Sequence, residues 1–71
     1  MELIINGNPE QLPEGINAAE LIERMGLANE RLAMEVNREI VPRSSFATHI
    51  FTAGDHIEIV RAIGGGSVTP R

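Results

Sequence analysis

Three consecutive glycines, Gly64-Gly65-Gly66, follow a strand-like stretch near the end of a 71-residue chain, and they are the residues best suited to unusual chemistry. Each glycine loses much conformational freedom on ordering, so the triplet is expected to be mobile. Without Cβ atoms it is also the thinnest peptide available, able to thread a narrow channel and set a backbone carboxylate against a nucleotide in another protein. A plain flexible linker is the competing reading. The conventional bases, His49 and His56, fall in a loop and at a strand start, with no nucleophile or carboxylate at a convincing spacing, so loop hydrogen bonding is expected of them. Ser44-Ser45 beside Arg43 reads as a cap, because no base or oxyanion motif accompanies it.

Composition narrows the classes further. The chain has no cysteine, which excludes disulfides, a thiolate metal site, an iron–sulfur cluster and a cysteine nucleophile; any sulfur it handles must come from outside. Ten carboxylates against six arginines, with no lysine, give a net charge of −4 and disfavour nucleic acid, whose phosphates require a basic face. Phe46 and Phe51 are the only aromatic rings, too few for a base-stacking platform. No window approaches the roughly 20 apolar residues that span a bilayer, and Met1-Glu2-Leu3-Ile4-Ile5 is not a cationic leader, so no membrane is expected and the cytoplasm is the expected location. A chain this short makes one domain, burying only about 60% of its unfolded surface, which leaves no room for a deep catalytic cleft.

The elements that would position the glycines are legible from periodicity. Met1, Leu3 and Ile5 alternate with Glu2, Ile4 and Asn6, and Gly7-Asn8 turns the chain into a weak return strand near Pro9 to Leu12. Asn17 with Glu20 three residues on marks a helix start, Ile16 and Leu21 are spaced as a hydrophobic staple, and Gly26 sits where a left-handed residue ends the helix; the spacing predicts a helix over 18–25. Leu32, Met34 and Val36 alternate again, Asn37-Arg38-Glu39 reads as a turn, and Ile40-Val41 is a brief strand halted by Pro42. Ser44-Ser45-Phe46 starts a single helical turn, Gly54-Asp55 is a further turn, and Ile57, Ile59 and Val60 belong to a last strand ending near Ala62.

Two hairpins separated by a helix and closed by a final strand satisfy the layer rule as an α+β mixed sheet with one helix across one face, the β-grasp or ubiquitin-like arrangement. The domain is expected over 1–63, the flexible glycine tail over 64–66 and a C-terminal extension over 67–71. The first and last strands would lie together in the centre, with Leu3, Ile5, Ile57 and Ile59 toward the helix. Ile4, Val60 and Ala62 then face away, and neighbouring central strands are expected to bring Ile4 and Val60 together as a docking patch beside the tail. Arg61 is a candidate to pair with acidic groups of a partner, and Glu20, Glu23 and Glu30 are expected to form a solvated acidic surface.

Several segments carry a resemblance. The strand ending Ile5-Asn6-Gly7, the Ala19-Glu20-Leu21 helix start, Asn37-Arg38-Glu39-Ile40-Val41-Pro42-Arg43, and Gly54-Asp55-His56-Ile57-Glu58-Ile59-Val60 leading to Ile63-Gly64-Gly65-Gly66 together resemble the ThiS family of thiamine sulfur carriers over residues 1–66. The resemblance implies a carrier, not an enzyme, with no cofactor of its own. A ThiF-type adenylating enzyme would use ATP to convert the Gly66 carboxylate to an acyl adenylate, with Gly65 before it in the arm. Sulfur from a cysteine-desulfurase persulfide would replace AMP, and the thiocarboxylate would donate its sulfur to thiazole synthase. Adenylation supplies the leaving group that a carboxylate lacks. Ile4, Val60, Ala62, Ile63 and Gly64 are the residues expected to meet these partners, and no metal is expected.

The pattern of the family ends at the glycine pair, whereas Ser67-Val68-Thr69-Pro70-Arg71 follows here and holds Gly66 in a peptide bond. The extension reads as a propeptide, a junction to a fused partner or a cloning remnant. Three alternative functions stay open at this point: a carrier for molybdopterin synthesis, a ubiquitin-like protein modifier, and a non-reactive binding module.

Overall fold

The hydrophobic alternation closes into one sheet with one helix across it. The computed structural model describes the backbone of residues 1–63 and 67–68 and the side chains through Arg61. Strands β1 (Glu2–Ile5) and β2 (Asn8–Gln11) form a hairpin, helix α1 (Ala18–Arg24) follows, and β3 (Leu32–Val36) and β4 (Glu39–Val41) form a second hairpin. A 3₁₀ turn over Arg43–Ser45 leads to β5 (His56–Ile63), and β6 (Ser67–Val68) pairs back on β5. The order across the sheet is β2-β1-β5-β3-β4, with β1 and β5 parallel in the middle and the other neighbours antiparallel. This is the mixed β-grasp arrangement expected from the sequence.

Local chemistry sets the corners. Both hairpins turn on two residues with positive φ, Asn6 (50°) with Gly7 (85°) and Asn37 (52°) with Arg38 (70°), the geometry that matches the right-handed strand twist. Asparagine tolerates that region better than other side chains, and Glu39, expected in the turn, is already paired with Val36. The helix opens with a complete capping box: the Glu20 N–H donates to Asn17 Oδ1 at 2.8 Å and the Asn17 N–H to Glu20 Oε1 at 3.0 Å. The Ala18 and Ala19 N–H groups donate to the carbonyls of His49 and Phe46, so the first turn has no orphan donor. At the other end Gly26 (φ 74°) donates to Glu23 and Leu27 to Ile22, a Schellman closure.

The core lies between the helix and one sheet face. Leu3, Leu21, Met34 and Ile57 are its fully buried centre, with Ile5, Ile22, Val36 and Ile59 around them and Leu12, Ile16, Phe46 and Phe51 closing the sides. Leu3, Ile5, Ile57 and Ile59 thus face the helix as periodicity predicts, and both members of the expected staple, Ile16 and Leu21, are buried. The helical turn after Pro42 differs from the reading of Ser44-Ser45 as a cap. Its N-cap is Pro42, which has no side-chain donor or acceptor, and the turn is closed by Ser45 and Phe46 N–H groups bonding to the carbonyls of Pro42 and Arg43.

Candidate functional site: the end of β5 and the outer sheet face

β5 is the element that carries the chain out of the core to the glycines, and its start is held from both sides. On the β3 side, the His56 N–H donates to Asn37 Oδ1 at 2.9 Å, while Asn37 Nδ2 donates to Asp55 Oδ1 at 3.0 Å. Asp55 Oδ2 in turn accepts the Thr52 N–H at 2.8 Å. On the β1 side, pairing ends at Ile5↔Ile57, and the Ile59 N–H donates to Asn6 Oδ1 at 2.8 Å, so a side chain extends the ladder one step past the strand. Asn6 and Asn37, each the first residue of a hairpin turn, thus do the same work on opposite edges of β5. The two motif stretches around Asn37 and Gly54-Asp55 meet in space as scaffold. Sequence reasoning read Asn37 and Gly54-Asp55 only as turn formers and Asn6 as the end of the first strand.

Beyond Ile59 the strand continues with β3 on one side, where Ala33 faces Val60 and Leu32 faces Arg61. Arg61 finds its carboxylate within the chain: its guanidinium meets Glu30 at 2.8 Å in an exposed pair. That corrects the expectation of a purely solvated Glu30 and gives Arg61 an internal partner. The neighbouring loop is fixed by Arg43, which donates to the carbonyls of Ala28 (2.7 Å) and Glu30 (3.0 Å) and lies over the Phe46 ring at 5.9 Å. Nothing in residue spacing marked this role of Arg43. The backbone of Ala62 and Ile63 belongs to β5 and pairs with Val68 and Ser67. Gly64, Gly65 and Gly66, including the expected flexibility of the tail, lie outside the described residues.

The outer sheet face carries Ile4 and Val60, both half-buried, but not side by side. The parallel register sets Ile4 opposite His56, so Val60 lies four residues further along β5, about 13 Å away at the usual rise per strand residue, with Glu58 between. The expected contiguous pair is therefore split. Val60 instead adjoins Ala33 on β3, and one step back Glu58 lies opposite Glu35, which is itself opposite the exposed Ile40 of β4. β6, which the sequence reading left without structure, brings the chain after the glycines back onto the end of β5.

The histidines do not converge. His49 packs edge-on to Phe51 at 5.3 Å and its carbonyl receives the Ala18 N–H, while His56 sits on the outer sheet face at the start of β5. Among the described residues no three metal-ligating side chains gather, and no helix is long and apolar enough to cross a membrane.

Comparison with known proteins places this arrangement. The pattern of the ThiS family matches residues 3–66, and the chain belongs to that family. It is 33% identical over 66 residues to the sulfur carrier protein ThiS of Escherichia coli K12, covering 93% of this chain and 100% of that one. It is 40% identical over 67 residues to a thiazole synthase of Paramagnetospirillum magneticum; that likeness takes in 94% of this chain but only 21% of the synthase, so the chain spans about a fifth of that relative's length. The crystal structure of a thiamine biosynthesis protein (ThiS) from Geobacter metallireducens superposes with a TM-score of 0.80 at 30% identity, covering 93% of this chain and all of that one.

Proposed function

We propose that this chain is a sulfur carrier for the thiazole of thiamine, working as a protein co-substrate and binding no cofactor itself. The observation that carries the reading is that the family match runs to residue 66, the last of the three glycines, with β5 leading directly to them. The Gly66 carboxylate attacks the α-phosphorus of ATP on a ThiF-type adenylating enzyme, expelling pyrophosphate and forming the acyl adenylate. The terminal sulfur of a cysteine-desulfurase persulfide attacks the acyl carbon and AMP leaves; a thiol then cleaves the sulfur–sulfur bond, leaving the thiocarboxylate. Thiazole synthase accepts the sulfur, an assignment supported by the likeness to part of such a synthase. Val60, with Ala62, Ile63 and Gly64 after it, forms the docking margin beside Gly65-Gly66, and Ile4 is a separate contact further back on the sheet.

The extension must first be cut. With Ser67 attached, Gly66 has no free carboxylate, and the pairing of Ser67 and Val68 with Ile63 and Ala62 holds the end of β5 until the bond after Gly66 is broken. With adenylating enzyme, ATP and the persulfide donor, the chain ending at Gly66 should gain about 16 Da, sulfur replacing oxygen on an activated acyl group. The 71-residue chain should gain nothing, and deletion of Gly65-Gly66 should abolish uptake because the shortened arm misplaces the carboxylate. Intact-mass spectrometry decides it: a thiocarboxylate on Arg71, or none on the Gly66 form, would sink the proposal.

A further inference from the structure

Asn6-Gly7 is the one place in the chain where an asparagine precedes a glycine; Asn8, Asn17, Asn29 and Asn37 precede Pro9, Ala18, Glu30 and Arg38. An asparagine in that setting readily loses its side-chain amide, because the backbone nitrogen that follows can attack Cγ and glycine has no Cβ to obstruct the approach. Asn6 is also a junction in the fold. Its N–H donates to the Ile57 carbonyl at 2.8 Å, its Oδ1 accepts the Ile59 N–H at 2.8 Å, and Ile5 and Asn8 pair across the two-residue turn that it opens. One exposed residue thus ties β1, β2 and β5 together.

We infer that Asn6 is a self-modification site, whose reaction the closed fold holds back and whose product unties β5 from β1. The Gly7 nitrogen gives its proton to a solvent base and attacks Asn6 Cγ; the Cγ–Nδ2 bond breaks, the amide nitrogen takes a proton from water and leaves as ammonia, and a succinimide ring closes. Water then opens the ring. Attack at one carbonyl gives aspartate, and attack at the other gives isoaspartate, whose main chain runs through Cβ and Cγ while its α-carboxylate hangs free. Ring closure requires Asn6 Cβ and the Gly7 nitrogen to eclipse about the Cα–C bond, whereas a two-residue turn with positive φ at both positions, 50° and 85°, sets them nearly opposite. The bond from the Ile59 N–H also holds the amide toward β5. Both restraints lapse together when the junction opens, so the rate follows opening of the fold. Isoaspartate adds a backbone atom to a turn with room for two residues, which breaks the Ile5–Asn8 pairing and both bonds to β5.

The test is incubation of the 71-residue chain in warm, mildly alkaline buffer with and without urea, followed by peptide mass mapping. Cleavage after Glu2 and Glu10 releases the peptide 3–10, in which Asn8 has no such route because the Pro9 nitrogen carries no proton to lose. That peptide should gain about 1 Da as oxygen replaces NH, with isoaspartate detected by an isoaspartyl methyltransferase. Conversion should be about tenfold or more slower in buffer than in urea. Ile57→Ala, which opens the fold more often, should convert faster than the unaltered chain in buffer and at the same rate in urea. Asn6→Asp keeps an acceptor for the Ile59 N–H and a normal backbone, so it should melt close to the unaltered chain, whereas the purified isoaspartyl form should melt clearly lower. No conversion in urea, equal rates in buffer and urea, another asparagine converting ahead of Asn6, or no acceleration by Ile57→Ala in buffer would each overturn the inference. So would an isoaspartyl form that melts with the unaltered chain, or an Asn6→Asp variant that melts as low as the isoaspartyl form. The chain alone suffices for every measurement, so the outcome is independent of sulfur uptake.

Discussion

At its start β5 is gripped from both sides, by Asn37 on the His56 N–H and Asn6 on the Ile59 N–H, with Ile57 fully buried between them. From Val60 onward the same strand has a half-buried side chain, an exposed ion pair and a two-residue partner in β6. The first half is fixed by contacts that water does not reach or that complete a backbone ladder. The second half keeps β3 on one side, at Val60↔Ala33 and Arg61↔Leu32, but its other contacts are exposed or only two residues long and cost little to open. Stability is therefore graded along one strand, and substitutions in its two halves should behave differently.

The largest effect is expected at the buried end. Ile57→Ala removes a side chain only 1% exposed and should cost about 2–5 kcal/mol, a large share of what a small domain possesses. Urea unfolding measures it, and a loss under about 0.5 kcal/mol would show that the core is not anchored where the burial places it. A middle value is expected at the clamp, where Asn37→Ala loses two hydrogen bonds and leaves alanine at a φ of 52°, about 1–3 kcal/mol in all. Asn37→Gly sharpens the comparison: glycine restores the backbone freedom but not the bonds, so its stability should fall between alanine and asparagine. If alanine and glycine are equally destabilising, the positive φ is not part of the cost. The smallest effect belongs to the far end, where Arg61→Ala should change stability by no more than about 0.5 kcal/mol, the difference vanishing in high salt. A loss above about 1 kcal/mol there would erase the distinction between the two halves.

Much of the fold was legible because its decisive signals are local. The Asn17–Glu20 capping box and the Gly26 closure each satisfy backbone groups within a few residues, so residue types at fixed spacing suffice to read them; the first turn, read as Gly7-Asn8, is instead made by Asn6-Gly7, because Asn8 already pairs with Ile5. Alternation likewise assigned Leu3, Ile5, Ile57 and Ile59 to the core and Ile4 and Val60 to the other face. Arg43 was not legible as a loop anchor, because its acceptors are the carbonyls of Ala28 and Glu30, and every residue has a carbonyl.

By itself the sequence determined which residues turn, which cap and which face a strand shows. Only the tertiary structure decided how those faces align. The register of β1 on β5 joins residues more than fifty positions apart, and it depends on how Leu3, Ile5, Ile57 and Ile59 interlock under the helix and on the Asn6–Ile59 bond. Alternation has a period of two and is satisfied equally by any register shifted by two residues, so it could not place Val60 beside Ala33 and away from Ile4. The same long-range pairing set Glu35 against Glu58, two carboxylates 23 positions apart whose opposition no local pattern encodes.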